Sequence, residues 1–293
     1  MARPPVQDDI LERLVAWGES RPSIRAMILT STRARPDGAV DQLSDYDIIL
    51  AVSDAAGFAG DDTWMHDFAR PAASWGDEHD VHGQRTFFRG VVYADGTKID
   101  FTIWPDSLLE RIAALERPPP DLDVGYRVIL DKDHRTSGWA APAYRAHIPP
   151  RPTGAEYRAL VEEFWWSSTY VAKALWRNEL YFAKFVLDGD LRDGPLRGML
   201  EWRIELDHDW SLKPGAYGRG LERHLPADIW TELAATYVGV DVRENWTALF
   251  RMAGVFRRVA IEVGDALGYP YPQDVDATIV AHLETVRSMP PRK

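Results

Sequence analysis

Three aspartates carry the densest chemistry in the chain. Asp45 and Asp47 sit at the mouth of an apolar run, Leu43-Ser44-Asp45-Tyr46-Asp47-Ile48-Ile49-Leu50-Ala51-Val52. Asp100 sits inside another, Lys98-Ile99-Asp100-Phe101-Thr102-Ile103-Trp104. A carboxylate among β-branched and aromatic neighbours costs free energy unless something pairs with it. Side chains alternate faces along a strand, so Asp45 and Asp47 point one way and Tyr46 and Ile48 the other. By the same rule Lys98, Asp100 and Thr102 share a face opposite Ile99, Phe101 and Ile103. If the two strands are neighbours, the three carboxylates converge and repel one another unless a cation neutralises them. Mg²⁺ is the expected cation, because it takes oxygen ligands and usually keeps substrate phosphates in its shell. Asp45 and Asp47 can then hold metal carrying a nucleoside triphosphate. Asp100 can help hold metal or take a proton from an attacking hydroxyl.

A short hydroxyl-rich segment precedes these acids: Leu29-Thr30-Ser31-Thr32-Arg33. Its hydroxyls and backbone N–H groups suit triphosphate oxygens, which makes Ser31, Thr32 and Arg33 the candidate nucleotide-binding group. A second set lies in the later run from Glu162 to Arg177. Positions 163, 166, 170, 173 and 177 fall on one helical face, presenting Glu163, Trp166, Tyr170, Lys173 and Arg177. An acid and aromatics suit a guanidinium-bearing sugar, and Lys173 and Arg177 suit a triphosphate. Trp165 and Trp176 read as core. Glu201, beside Trp202, either contacts a cationic substrate or pairs with Arg197 or Arg203. His79 and His82 have no third ligand nearby, and Asp61-Asp62 and Asp77-Glu78 read as solvated loop acids.

The elements that would position these residues follow from periodicity. Residues 8–20 predict an amphipathic helix with Ile10, Leu11, Leu14, Val15 and Trp17 on its apolar side. Residues 23–29 predict a strand, and 30–44 a polar loop holding Arg33, Arg35, Pro36, Asp37 and Gly38. The strand after Asp45 follows. Residues 86–93 and 98–104 predict a hairpin across Ala94-Asp95-Gly96-Thr97, since Asp-Gly between β-rich runs favours a tight turn. Residues 125–130 predict one further strand. Pro142, Pro149, Pro150 and Pro152 mark a boundary, giving domains 1–148 and 149–293. The second half reads as helical: a long run over 155–187, an interruption at Gly189, Gly194 and Pro195, then 196–207, a stretch after Pro226, and 247–267. The fold class is therefore α+β, a mixed sheet with flanking helices followed by an all-helical domain.

Composition narrows the partners. The chain has 293 residues, 45% hydrophobic, with twelve tryptophans and no cysteine. Disulfides and thiolate metal sites are excluded, and the composition fits a reducing cytoplasm. No signal peptide and no membrane span is read. The net charge is −11. Residues 1–150 hold 24 acidic and 16 basic side chains, and residues 151–293 hold 21 and 18. The acidity is concentrated in the half that carries the aspartates. Such a field disfavours nucleic acid and favours small polycations.

The order strand, hydroxyl-rich turn, Asp-x-Asp, hairpin, Asp resembles that of the polymerase-β-like nucleotidyltransferases. More closely, the chain resembles the aminoglycoside 6-adenylyltransferases, the streptomycin-modifying group. The matching segments are Ile24-Arg25-Ala26-Met27-Ile28-Leu29, Asp45-Tyr46-Asp47-Ile48, Lys98-Ile99-Asp100-Phe101, Leu130-Asp131-Lys132-Asp133, Tyr170-Val171-Ala172-Lys173-Ala174-Leu175-Trp176-Arg177-Asn178-Glu179, Met199-Leu200-Glu201-Trp202 and Leu267-Gly268-Tyr269-Pro270-Tyr271-Pro272. The resemblance implies transfer of AMP from ATP to a streptomycin hydroxyl with release of pyrophosphate. It makes Asp45 and Asp47 the Mg²⁺ ligands and Asp100 the third carboxylate, general base or metal neighbour. The acceptor is expected in an interdomain cleft, against the helical face carrying Glu163, Trp166 and Tyr170. The oligomeric state is left open, with a monomer compatible. Where the family has Gly-Ser, this chain has Ser31-Thr32. Thr32 keeps a hydroxyl, while Ser31 adds a Cβ where glycine would let backbone approach phosphate closely. Two other readings share these residues: a nucleotidyltransferase with another small-molecule or protein acceptor, and a ligand-binding homologue in which Ser31 impairs ATP use.

Overall fold

The computed structural model describes residues 9–36 and 40–290. Asp37 and Gly38 of the expected loop and residues 1–8 lie outside the described residues. The chain divides into two compact units, Met1–Ala146 and His147–Lys293.

Central strands buried on both faces and an alternating β5 build the first unit. Its six strands are β1 (Ile24–Thr30), β2 (Tyr46–Val52), β3 (Pro71–Val81), β4 (Gln84–Tyr93), β5 (Lys98–Pro105) and β6 (Tyr126–Asp131). They form one mixed sheet in the order β3-β4-β5-β2-β1-β6. Strand β2 runs parallel to β5 and antiparallel to β1, and the other pairings are antiparallel. On one face Ile48, Leu50, Ile99, Phe101 and Ile103 join Leu14, Trp64 and Met27 in a core. The helix Asp9–Ser20 packs there, with Trp17, Trp64 and Phe101 in mutual ring contact. On the other face Ala26, Ile28, Ile49, Ala51 and Trp104 pack with Leu108, Leu109 and Ile112 of the helix Ser107–Ala113. The Asp-Gly turn forms as expected: Gly96 takes φ +87°, and Asp95 accepts a hydrogen bond from the Thr97 N–H at 3.0 Å.

Strand β3 was not expected. The segment holding Asp77-Glu78 and His79 reads as a polar loop, yet it forms the sheet edge, with Glu78 opposite Phe87 and His79 opposite Thr86. It is exposed over nearly its whole length, so no burial alternation marks it in the sequence. A short 3₁₀ turn, Ser31–Ala34, also forms inside the expected loop.

The second unit is all helical. Gly154–Trp176 opens with a reciprocal cap between Thr153 and Glu156, which satisfies two otherwise orphaned N–H groups. It does not run on to 187. Asn178 takes the left-handed conformation, φ +60°, and ends the helix; asparagine tolerates that region better than most residues. A new helix runs Leu180–Lys184, followed by a wide-turn π-type stretch Phe185–Leu196 kinked at Gly194, and then Arg197–Asp207. Gly189, Gly194 and Pro195 thus fall in a distorted helical segment. The helix Val242–Leu267 is capped by Asp241 and ends at Gly268, φ +77°. Phe164 stacks on Phe256 at 3.8 Å in the core.

Candidate active site

Sheet register places the acids. Asp47 lies directly beside Asp100 across the parallel β2–β5 pair, and Thr30 lies on its other side across β1–β2. Both aspartates fall on the face that carries Ile28, Ile49 and Trp104, beyond the end of that core, and both are half-buried. Tyr46 and Ile99, one residue away, are buried in the opposite core. Asp45 precedes β2 and reaches the same place.

The cation among them belongs to the chain. Lys98 Nζ donates to Asp45 Oδ2 at 2.7 Å and to Asp100 Oδ2 at 2.8 Å. Burial alone would lower the Lys98 pKa; the hydrogen bonds to Asp100 and Asp45 outweigh it and hold the ammonium above its ordinary value. Asp47 is less well served. Burial first, then the charges of Asp100 and Asp45, push its carboxyl up to about 6, against the opposing pull of Lys98 and of the Ser31 hydroxyl, which donates to it. Asp100 Oδ1 is buried with no hydrogen-bond partner. It faces Gly90, its register neighbour on β4, where an added Cβ would lie 3.1 Å from that oxygen. With the Lys98 ammonium seated between Asp45 and Asp100, no three carboxylate or histidine side chains among the described residues are gathered as a ready metal cage. The cluster nonetheless suits an added cation: burial and two acidic neighbours raise one carboxyl to about 6, and one buried oxygen is unpartnered.

The hydroxyl-rich turn is built differently from expectation. Ser31 takes φ +61°, the region that glycine adopts freely and that costs other residues about 1–2 kcal/mol. Its N–H donates to the Gly125 carbonyl at 3.1 Å, so that group is engaged within the fold. Thr32 is exposed. Arg33 spans the loop: Nε donates to the Asp45 carbonyl at 3.0 Å, Nη2 to the Ser44 carbonyl at 2.8 Å, and the guanidinium lies 3.9 Å from the centre of the Tyr46 ring. It thereby fixes the backbone that presents Asp45 and Asp47.

In the helical unit the expected face forms. Glu163, Trp166, Lys173 and Arg177 are exposed, and Tyr170 is half-buried. Trp166 is 62% exposed and meets Tyr170 edge-on at 4.8 Å; Lys173 Nζ lies 4.2 Å from the Tyr170 ring. Trp165 is fully buried and donates to the Tyr271 hydroxyl at 3.1 Å. Glu201 pairs with Arg197 at 2.9 Å, and Arg203 turns to Asp207 and Glu262 instead.

Sequence reasoning passed over two residues of the cluster. Lys98 shares a strand face with Asp100, two positions away, and that spacing was enough to seat it there. Gly90 is a lone glycine within a strand pattern, a sign of close approach by a neighbour.

The streptomycin adenylyltransferase family model matches residues 6–286. An aminoglycoside 6-adenylyltransferase of Bacillus subtilis (strain 168) is 31% identical over 267 residues, covering 90% of this chain and 91% of that protein. One from Campylobacter jejuni is 24% identical over 269 residues, covering 91% of each. A crystal structure of an aminoglycoside 6-adenyltransferase from Bacillus subtilis aligns at 27% identity and TM-score 0.48, covering 98% of this chain and 100% of that one.

Proposed function

The chain belongs to the streptomycin adenylyltransferase family, and from that premise we propose that it transfers AMP from ATP to a hydroxyl of an aminoglycoside, streptomycin first among them, with Mg²⁺ bound at the aspartate cluster. The observation that carries this reading is the convergence of Asp45, Asp47 and Asp100, with the Asp47 carboxyl pushed up to about 6 by burial first and then by the charges of Asp100 and Asp45. When bound, Mg²⁺ supplies charge neutralisation of the triphosphate and of the departing pyrophosphate. Asp45 and Asp47 hold it, and Asp100 completes the negative site. Ser31 keeps Asp47 oriented through its hydroxyl, and Arg33 holds the Ser44–Asp45 backbone in place.

The acceptor hydroxyl oxygen attacks the α-phosphorus, the bond from that phosphorus to the β-phosphate oxygen breaks, and pyrophosphate leaves. Asp100 takes the hydroxyl proton. Thr32 contacts the phosphates. Glu163, Trp166 and Tyr170 receive the cationic acceptor, since an exposed tryptophan beside a carboxylate suits a guanidinium. Glu201, paired with Arg197, is a further candidate for the cationic acceptor. Among the described residues no helix is long and apolar enough to cross a membrane, and a cytoplasmic location is part of this proposal because its co-substrate is ATP.

The test is pyrophosphate release from ATP and Mg²⁺, with and without streptomycin, beside a panel of other aminoglycosides. Streptomycin-dependent release is the expected result. Release with another aminoglycoside alone would replace the acceptor, and no release from folded protein with any of them would overturn the reading.

A further inference from the structure

Lys98 stands where the proposed function needs a metal ion. Its ammonium is held by one oxygen from each of two carboxylates, Asp45 Oδ2 at 2.7 Å and Asp100 Oδ2 at 2.8 Å. Those oxygens belong to acids on two neighbouring strands, which the parallel register of β2 and β5 brings side by side. A divalent ion of the Mg²⁺ type sits about 2.0–2.1 Å from each oxygen it binds. An ammonium bonded to the same two oxygens fills that space, and the two cations repel at such distances. Both cannot hold Asp45 and Asp100 at once.

We infer that Lys98 is a built-in counter-ion that occupies the metal position in the nucleotide-free protein, and that it leaves Asp45 and Asp100 when metal and triphosphate arrive together. The inference rests on the metal and nucleotide reading given above. Three features support it. Lys98 sits two residues from Asp100 on the same strand face, so the ammonium remains close after release. Its side chain is 41% exposed, which leaves it a path out of the cluster. A released ammonium has three donors and no acceptor, and a triphosphate oxygen is a suitable partner for such a point charge. Metal alone must then displace a cation that has nowhere better to go. Metal delivered on a triphosphate brings the new partner with it. The device keeps three like charges assembled without metal and favours the metal–nucleotide complex over the free ion. Lys98 acts on the reaction as a positioning residue.

The experiment compares wild type, Lys98→Met and Lys98→Arg in the full chain. Mn²⁺ binding without nucleotide is followed by the loss of the free-ion electron paramagnetic resonance signal, and ATP binding is then measured at saturating Mn²⁺. Lys98→Met is expected to bind Mn²⁺ alone at least about tenfold more tightly than wild type, and to bind ATP several-fold more weakly once Mn²⁺ is present. Lys98→Arg, which keeps the charge, is expected to stay near wild type for Mn²⁺ alone. Lys98→Gln provides the same comparison should the methionine variant fold poorly. Equal or weaker Mn²⁺ affinity on removing the charge overturns the counter-ion role. Asp47→Asn separates the two ideas. If it abolishes AMP transfer while Lys98→Met leaves Mn²⁺ affinity unchanged, the proposed function stands and the inference falls. If Asp47→Asn transfers AMP normally, the metal reading itself is wrong, and so is the inference built on it.

Discussion

In the helical unit, Asp276 is 5% exposed and both of its oxygens are engaged. Arg257 donates to them at 2.5 and 2.6 Å, and the Tyr271 hydroxyl adds a third bond at 2.8 Å. In the sheet unit, Asp100 shares one oxygen with a lysine that also serves Asp45, and its other oxygen is buried without a partner. Its neighbour Asp47 is pushed up to about 6. The first arrangement pairs one charge with one charge and adds hydrogen bonds, which is what a structural ion pair requires. The second gathers three acids around one ammonium and leaves both charge and hydrogen bonding incomplete. The difference teaches what separates an acid held for the fold from a candidate for chemistry: the first is fully satisfied within the chain, and the proposed role of the second rests on its incomplete pairing.

Replacing the structural acid should therefore affect stability and not the reaction. Asp276→Asn is expected to lower stability by about 2–3 kcal/mol, a fall in Tm of roughly 5–10 °C. Its kcat/KM at 20 °C should remain that of wild type. A specific loss of activity in the folded variant would erase the contrast.

Gly90→Ala probes the other side of it. The added methyl is crowded by Asp100 Oδ1 and by Phe88, each at 3.1 Å. Shifting the carboxylate by a few tenths of an ångström should cost about tenfold in kcat/KM with a much smaller change in Tm. Unchanged kinetics would show that the position of Oδ1 is not used.

The pH dependence is a gentler test. The Asp47 carboxyl lies near 6 in the fold against an ordinary 3.8. The folded state therefore binds that proton more tightly than the unfolded chain does between those values. Its contribution favours the fold below about pH 4 and is lost as pH rises through 6. Metal affinity runs the other way and should rise through pH 6 as Asp47 ionises. Ser31→Ala removes a hydroxyl that stabilises the ionised form, so the midpoint of the activity profile should move upward. Profiles for wild type and variant that coincide would remove Ser31 from the site.

The sequence made the sheet legible where one face had to be buried. Ile99, Phe101 and Ile103 had to face a core, so Asp100 had to face the other way, and the β2–β5 register then set it beside Asp47. Lys98 was visible on the same face, but the charge of the cluster was assigned wholly to an external ion. Strand β3 was hidden because both of its faces are exposed and no alternation results. The helix end at Asn178 was hidden because no glycine or proline marks it. Ser31 was legible as a departure from glycine, and its left-handed backbone is the physical reason that glycine suits the position. The face carrying Trp166 and Tyr170 followed from helical spacing alone, and spacing places residues on a surface without saying what they touch.

The central claim is that Asp47 holds metal for AMP transfer. It is tested most directly by streptomycin-dependent pyrophosphate release from wild type and Asp47→Asn, with Tm taken on the same samples. The account predicts a loss of at least about 10³-fold with Tm unchanged or raised, because a negative charge has been removed from a like-charged cluster. Release near the wild-type rate from a folded Asp47→Asn protein would contradict it.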